Sequence, residues 1–208
     1  MCINAPVSLA SFTVGVISSI FLIYNGAPKY ALENKTLGLF YLYVSTIQLW
    51  EFFMWIDLSG KVGLNNISTI LAPLFIYLQP ITLYLIKSVF YGRQSALFNM
   101  AAFFYFVDQL SRYAEFIVHD KTLITTPNKD GVLSWKWRIK GEPNYVYFFM
   151  FLWAILLYYQ WKYAVLYIGL GVVSLAISRI TYESEFPAIW CLLNAYLPIF
   201  ICAGSYFI

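Results

Sequence analysis

The sequence predicts an all-α integral membrane protein, a bundle of seven transmembrane helices that forms one domain over residues 1–208. Three observations support this fold class. Hydrophobic residues make up 61% of the chain and charged residues only 11%, whereas a soluble domain carries about 25% charged residues. The mean hydropathy is +0.69. Seven segments also approach the length of about 20 mainly apolar residues that crosses the hydrocarbon core of a bilayer.

The predicted spans run over 7–27, 36–58, 67–91, 96–118, 144–160, 162–179 and 186–207. Turn and helix-start signals separate them, among them Asn-Gly-Ala-Pro at 25–28, Ser-Gly at 59–60 and Glu-Phe-Pro at 185–187. The fifth and sixth spans meet at 161–162 and also fit a single bent hairpin. The first span has no charged leading segment and no small-residue cleavage site, so we interpret it as a retained helix and not as a signal peptide.

One long loop, 119–143, joins the fourth and fifth spans, and loops of this length are commonly functional. The Asn-Lys-Asp-Gly run at 128–131 is a turn signal, and residues 133–139 alternate in polarity, which predicts a small β-hairpin. The hairpin fits either a lid or partner contact, or an interfacial cap whose Trp135 and Trp137 lie at the level of the lipid headgroups. We favour the cap.

Lysine and arginine are distributed unevenly between the short loops on the two sides of the predicted bundle. The side opposite the N-terminus carries Lys29, Lys35, Arg93 and Lys162. Because short loops rich in these residues remain in the cytoplasm, the sequence predicts an N-terminus outside and a C-terminus inside. The long loop opposes this orientation, since it carries five basic residues on the outer side.

The charges and cysteines exclude several classes of protein. A formal net charge of +3 without an extended basic patch argues against nucleic-acid binding. The three cysteines form neither a disulfide framework nor a zinc-ligand spacing. The seventh span contains no lysine for a retinal Schiff base, so a light-driven pump is not predicted, and we expect no other cofactor.

Polar residues inside the spans gather in one half of the predicted bundle. An ionisable residue in the middle of a span costs roughly 2.5–3.5 kcal/mol, so each is a functional hypothesis by default. Span two carries Gln48 and Glu51 on one helical face. Span four carries Asp108, Arg112 and Glu115 on one face and runs in the same direction. We therefore predict a polar vestibule, formed by these five residues, that opens toward the N-terminal side.

Residues of other spans are expected to complete the vestibule. Gln79 precedes Pro80 in the middle of span three, where proline leaves a backbone carbonyl that a polar group must satisfy. Cys2 lies before span one, and Trp190 and Cys191 lie at the start of span seven. Antiparallel packing of the spans brings all of these residues toward the vestibule.

The opposite half of the bundle is predicted to be almost wholly apolar. Its exception is Lys87, whose position near a span end lets it snorkel to the interface. Two stripes of small residues are expected to let helices pack closely. They are Ser11, Gly15 and Ser19 in span one, and Gly171, Ser174 and Ser178 in span six.

The vestibule residues also have structural interpretations. Asp108 and Arg112, four residues apart, are expected to form a neutralising ion pair. Glu51 has no basic neighbour on its own helix, so it is either protonated or paired with Arg112, and it is the strongest single functional candidate. Glu115 and His119 have the spacing of two metal ligands, but they also fit a solvated helix end, which we favour.

Several of these motifs occur together in one family. They are the Met-Cys start, Gln48-x-x-Glu51, Gln79-Pro80, Trp135 and Trp137, and Glu185-Phe-Pro-Ala-Ile-Trp190-Cys191 at the start of span seven. On these residues the chain resembles an uncharacterised group of small membrane proteins of about seven spans from bacteria and large DNA viruses. The resemblance covers nearly the whole chain and implies no particular activity. It does imply that one set of residues belongs together, namely Cys2, Glu51, Gln79, Trp190 and Cys191.

The resemblance also bears on metal binding. Members of the group carry additional Cys and His residues in the long loop, whereas this chain has only His119 at the edge of that loop. A metal site within the loop is therefore not expected. If Met1 is removed, Cys2 presents an amine and a thiol at the vestibule mouth, which can serve as a metal ligand or a nucleophile.

Three classes of function fit the sequence. We favour a channel or transporter whose vestibule accepts an ion, a proton or a small polar solute. The first alternative is an intramembrane enzyme for a lipid or small amphiphile, with Glu51 or Glu115 as acid or base and Cys2 or Cys191 as nucleophile. The second is a receptor-like protein or a structural subunit of a membrane or virion assembly. Expected partners are membrane lipid, a small ion or solute, and further copies of the chain or a larger assembly.

Overall fold

In the computed structural model the chain is described over residues 4–92, 94–119, 122–129, 131–135, 145–181, 190 and 192–208. α-Helices dominate these residues, so the prediction of an all-α protein is confirmed. They are α1 (Ala5–Asn25), α2 (Ala31–Ile56), α3 (Leu64–Tyr77), α4 (Gln79–Tyr91), α5 (Ala96–His119), α6 (Tyr145–Tyr158), α7 (Trp161–Thr181) and α8 (Leu197–Ser205). A 3₁₀ turn at Pro28–Tyr30 leads directly into α2.

Three helices are long and apolar enough to cross a membrane: α1, the stretch Pro28–Ile56, and α7. The pair α3 and α4 passes the same test only when taken together, and it is bent by 54° at its junction. α6 has 14 residues and extends about 21 Å, against a hydrocarbon core of about 30 Å. By length and composition, the described part of the chain thus holds three spanning helices, or four with the bent pair, where the sequence predicts seven spans.

α2 occupies the centre of the bundle. It packs against α1, α3 and α4, while α8 lies between α1 and α7. α6 contacts α4, α5 and α7, and α5 also contacts α3. We call the end at which α1 begins and α2 finishes the apical end, and the opposite one the basal end. Because α2 packs against several helices, the polar residues on its buried faces are removed from both water and lipid.

α1 begins at a side-chain cap and presents a face of small residues to α2. Asn4 accepts a hydrogen bond from the backbone N–H of Val7 at 2.9 Å, and Pro6 occupies the first turn, where its missing N–H costs nothing. Hydroxyls on this face bond back to the helix's own carbonyls, as Ser19 does to Gly15 at 2.6 Å. The buried face of α1 consists of Ser8, Ser11, Gly15, Ser18, Ser19 and Leu22.

Glycines bring the backbones of α1 and α2 together. A Cβ atom on Gly38 of α2 would lie 2.9 Å from the backbone oxygen of Ser19, and one on Gly15 of α1 would collide with Ser45. The predicted stripe on the first span is therefore confirmed as a packing surface. The predicted stripe on the sixth span is confirmed as a packing surface only in part, because a Cβ atom on Gly171 would have nothing within 4 Å.

The predicted hairpin forms in the long loop. Strands β1 (Thr126–Pro127) and β2 (Leu133–Ser134) pair antiparallel, with Thr126 opposite Ser134. Asn128 closes the turn, because its backbone N–H bonds to the oxygen of Val132 at 2.8 Å and its side chain accepts from the N–H of Val132 at 3.1 Å. Residues 136–144, including Trp137, lie outside the described residues.

The loop is fastened to the apical end of the bundle as a packed cap. Asn65 of α3 donates to the oxygen of Thr125 at 2.8 Å and accepts from the N–H of Thr125 at 2.8 Å. The hydroxyls of Thr69 and Thr125 are 2.8 Å apart. Val132 and Leu133 are buried in an apolar cluster with Met54, and Trp135 packs at its edge. These contacts favour a cap over a hinged lid.

Asp57 supplies the cap that α3 lacks. Gly63 precedes α3 at a φ of 85° and offers no side chain, and the Asp57 carboxylate instead accepts from the N–H groups of Val62 (3.2 Å) and Asn65 (3.3 Å). Burial raises the pKa of this carboxyl, but the N–H groups of residues 62–65 together lower it by more, so its pKa lies below the ordinary value of 3.8.

Substituting Gly38→Ala should destabilise the bundle, because the added methyl group meets a backbone atom that cannot move aside. We expect a loss of about 1–3 kcal/mol, which is typical of overpacking. Thermal unfolding in detergent measures it. Gly169→Ala is the matched control, since a Cβ there meets nothing within 4 Å; equal behaviour of the two variants would contradict the close approach of α1 and α2.

Substituting Asp57→Asn should lower the thermal midpoint at neutral pH. A carboxyl whose folded pKa is depressed stabilises the fold above its unfolded pKa, and this stabilisation is lost as the pH falls through the folded pKa. The midpoints of wild type and variant should therefore converge as the pH is lowered from 7 to about 2. A difference that stays constant over this range would show that the carboxylate charge is not what caps α3.

Candidate functional site

The inner face of α2 carries the residues from which the candidate site is built. At about 100° per residue, Glu33, Tyr41, Gln48 and Glu51 fall within about 80° of one another around the helix. Glu51 is 0% exposed and Gln48 is 1% exposed. Tyr41 stands edge-on to Tyr167 of α7, with ring centroids 6.1 Å apart, so this face is directed across the bundle toward α7.

The apical part of this face lies level with polar residues of α7. Both helices run in the same direction past the contact of Tyr41 with Tyr167. Two turns further toward the apical end come Gln48 on α2 and Ser174 on α7. The Ser174 hydroxyl accepts a hydrogen bond from Trp190 Nε1 at 2.9 Å. We group Gln48, Glu51, Ser174 and Trp190 by this shared level along the bundle and call them the apical site.

The chemistry of the apical site is that of a buried acid among neutral hydrogen-bonding groups. The Glu51 carboxyl can hold a proton or face a cation, and the Gln48 amide and Ser174 hydroxyl can each both donate and accept. Ser178, one turn above Ser174, is 0% exposed and adds a second hydroxyl to α7. Cys2 and Cys191, which the sequence predicts beside this site, lie outside the described residues.

Gln79 lies at the break between α3 and α4, where tyrosines of three helices supply hydrogen bonds. Tyr43 of α2 donates to the backbone oxygen of Phe75 at 2.8 Å, and Tyr105 of α5 donates to that of Tyr77 at 2.7 Å. Tyr147 of α6 donates to Gln79 Oε1. The carbonyl that Pro80 leaves without a helical donor is that of Ile76, four residues earlier, and its neighbours Phe75 and Tyr77 are the carbonyls that accept from hydroxyl groups at the break.

Asp108 and Arg112 form the expected ion pair on α5, with Arg112 Nε 3.0 Å from Asp108 Oδ2. Gln109 also donates to Asp108 Oδ2, at 2.7 Å. The paired side chains are 31% and 39% exposed, and α5 packs against α3, α4 and α6. Both side chains are thus part-exposed on a helix that packs mainly against α3, α4 and α6, and their placement in one vestibule with Gln48 and Glu51 stays a prediction.

Glu115 and His119 are both exposed, further along the same helix. The described residues contain no group of three or more His, Cys, Asp or Glu side chains that could hold a metal ion. Among the described residues, no hydrogen bond or ion pair joins Glu115 to Gln48 or Glu51. Glu115 and His119 fit the interpretation of a solvated helix end.

The basal end of the bundle holds a second buried polar group, which the sequence pattern does not predict. Glu33 is 5% exposed, Asn34 1%, Thr36 0% and Lys87 1%. The predictions of an apolar half and of a snorkelling Lys87 are therefore wrong. α2 begins at Ala31, five residues before the predicted start of the span, and this extra turn carries Glu33 and Asn34 into the bundle.

Tyrosine side chains supply hydrogen-bond partners and a ring contact to this second group. Tyr163 donates to Asn34 Oδ1 at 2.9 Å, and Thr36 donates to the hydroxyl of Tyr159 at 3.4 Å. Lys87 Nζ donates to the backbone oxygen of Ala154 and lies 3.5 Å from the centroid of the Tyr159 ring. We call Glu33, Asn34, Thr36, Lys87, Tyr159 and Tyr163 the basal cluster.

Comparisons of the chain with models of known protein families, with characterised proteins and with solved structures find no match.

Replacing Tyr105 by Phe should destabilise the protein, because the Tyr77 carbonyl at the broken helix loses its donor. Interhelical hydrogen bonds in membranes average about 0.6 kcal/mol, and a stranded buried acceptor costs up to about 3 kcal/mol. We expect a loss within this range in thermal unfolding. Tyr24→Phe, at an 80% exposed site, is the control; equal stability of both variants would contradict a structural role for these hydroxyls.

Proposed function

We propose that the protein is a membrane transport protein, a channel or transporter that moves a proton, another ion or a small polar solute along the inner face of α2. The observation that carries this proposal is the burial of polar groups at both ends of that face. Glu51 and Gln48 lie at the apical end and Glu33 at the basal end, and Glu33 and Glu51 are separated by about 27 Å along the helix axis. That distance nearly equals the thickness of a hydrocarbon core.

The space between the two ends is not purely apolar. Tyr41 lies between Glu33 and Gln48 along this face of α2, and its ring meets that of Tyr167 edge-on with centroids 6.1 Å apart, so two phenol groups lie between the ends. Ionisable residues buried inside transmembrane helices are costly and commonly mark ion pathways and proton relays. A protein that needed α2 only as a packing element could fill this face with leucine.

The broken helix supports the same proposal. Transporters commonly place their binding sites at discontinuous helices, whose free backbone groups and polar side chains meet near the middle of the membrane. Here the 54° bend between α3 and α4 lies directly against α2, through the hydrogen bond of Tyr43 to Phe75. A bend of this kind offers a hinge for alternating access.

We further propose that the chain crosses the membrane seven times, as members of the group it resembles would, and that its N-terminus is outside, as the distribution of Lys and Arg predicts. α5, at 24 residues, is long enough to span, and α6 and α8 are packed among the longer helices. The surrounding partner is then membrane lipid. Assembly with further copies, a virus-encoded origin and the enzyme alternative stay predictions of the sequence.

Substituting Glu51→Gln should reduce flux at least tenfold, because it removes the ionisable group of the apical site while preserving its size. The purified protein is reconstituted into lipid vesicles, proton, Na⁺ and K⁺ fluxes are followed with trapped indicator dyes, and uptake of small polar solutes is followed by light scattering. Glu115→Gln, at an exposed carboxyl on α5, is the matched control and should leave flux unchanged. Absence of any flux above empty vesicles, or equal flux in wild type and Glu51→Gln, would contradict the proposed function.

A further inference from the structure

We infer that two copies of this chain pair in the membrane through the outer face of α5, with Arg112 of each copy bonded to Asp108 of the other. The inference goes beyond the proposed transport function and rests only on the proposal that α5 crosses the membrane. Three observations carry it: the depth of the Asp108–Arg112 ion pair, its exposure, and the spacing of the residues around it.

The ion pair of α5 lies near the middle of the bundle, far from both ends. Asp108 is at the centre of the 24 residues of α5. Tyr105, one turn nearer the basal end, donates to the Tyr77 carbonyl at the break between α3 and α4, so this part of α5 is level with the break. Arg112 lies about 6 Å beyond Asp108 along the helix axis. When α5 crosses the membrane, both side chains therefore lie within the hydrocarbon core, whose half-thickness is about 15 Å.

The ion pair uses only part of its own hydrogen-bonding capacity. An arginine has five N–H donors, and a carboxylate accepts at two oxygens. Among the described residues, Arg112 donates once, from Nε, and Asp108 accepts at Oδ2 alone, from Arg112 and Gln109. The two side chains are 31% and 39% exposed. Lipid tails offer no hydrogen bonds to the groups left over, which is why ionisable residues at this depth almost always face protein or a water-filled cavity.

The residues around the ion pair repeat at the spacing of a two-helix seam. At intervals of four, three, four and three residues, the outer face of α5 carries Leu97, Ala101, Phe104, Asp108 and Ser111. This is the 3.5-residue repeat along which two helices pack, and a polar residue within it fixes the register of the pair. All five residues are exposed or half-buried in the single copy. We end the seam at Ser111 because Glu115, the next residue in this spacing, belongs to the solvated end of the helix.

The partner that fits this face is a second copy of the chain. Two-fold symmetry about an axis along the membrane normal brings the same patch of both subunits together at the same depth. Because the patch carries one acid and one base a turn apart, two such patches complement each other in charge. Arg112 lies about 40° around the helix from Asp108, beside the seam, at the position from which charged side chains reach across to the facing helix.

The contact completes the hydrogen bonds that the single copy leaves unmade. The remaining guanidinium N–H groups of Arg112 donate to Oδ1 of Asp108 in the partner subunit, so each aspartate lies between two arginines and the four charges sum to zero. A lipid headgroup cannot replace the second copy, because headgroups lie about 15 Å from the middle of the bilayer. The apolar seam residues Leu97 and Phe104, 62% and 67% exposed in the single copy, become covered at the same time.

The oligomeric state of the purified full chain tests the inference without any substitution. Size-exclusion chromatography with light scattering, corrected for bound detergent, should give twice the chain mass of 24.1 kDa. In lipid vesicles, energy transfer between donor- and acceptor-labelled copies, followed on dilution with lipid, gives the dissociation constant. Arg112→Gln should raise this constant at least tenfold, whereas Lys29→Gln, which removes an exposed cation at the basal end, should leave it unchanged. A monomeric wild type, or equal constants for the two variants, would overturn the inference.

Cysteine cross-linking locates the interface even where Arg112→Gln fails to fold. Phe104→Cys should form a disulfide between copies under mild oxidation, because a seam residue meets its own counterpart across a two-fold axis. Val172→Cys, 58% exposed at the middle of α7, is the control and should cross-link at least tenfold less. The unsubstituted chain, which has three cysteines, gives the background. Cross-linking through Val172→Cys and not through Phe104→Cys would overturn the assignment of the interface to α5.

These results are separable from the proposed transport function, whose pathway runs inside each copy along α2. A monomeric wild type that carries flux would overturn this inference and leave the transport function standing. A dimer that cross-links through Phe104→Cys and carries no flux would support this inference and contradict transport. A monomer in which Arg112→Gln lowers flux would overturn the inference and favour the predicted vestibule as the place of the ion pair.

Discussion

The structure depends on how α2 buries polar side chains where neither water nor lipid can satisfy them. In a hydrocarbon environment an unsatisfied polar group costs several kilocalories per mole, so each such group restricts which helix can lie beside it. Tyr43 fixes α3 through Phe75, and Asn34 fixes α7 through Tyr163. The arrangement of the helices around α2 follows from these hydrogen bonds together with the close glycine contacts of α1.

The two kinds of contact divide the surface of α2. On one side Gly38 and Ser45 allow α1 to approach so closely that no larger side chain fits. On the other side Tyr43 stacks on Phe75 and Trp50 meets the same ring edge-on, and these contacts hold α3 above its break. The remaining face, turned toward α7, carries the acids and amides. Function is assigned to that face because packing does not require its polarity.

Much of the architecture could be predicted from local signals in the sequence. The turn at 128–131, the small-residue stripe of α1, the Asp108–Arg112 pair and the polar demand at Pro80 all depend on residues a few positions apart. Lys87 and Glu33 could not be placed in this way. A lysine near the end of a span fits the interface equally well, and only Ala154 and Tyr159, distant in sequence, show that it is buried. The location of Glu115 and of the ion pair depended likewise on the rotation of α5, which its own sequence does not determine.

The proposed function requires that the inner face of α2, although buried in this structure, opens to water during transport and does not stay a packed core. Hydroxyl-radical footprinting by X-ray radiolysis tests it directly, because radicals form from water at the site of modification. Tyr41 and Phe40 are adjacent, equally buried at 2% exposure, and point to different neighbours. We expect Tyr41 and Tyr167 to be labelled at rates approaching that of the exposed Tyr24, while Phe40 is protected. Equal protection of Tyr41, Tyr167 and Phe40 would contradict it.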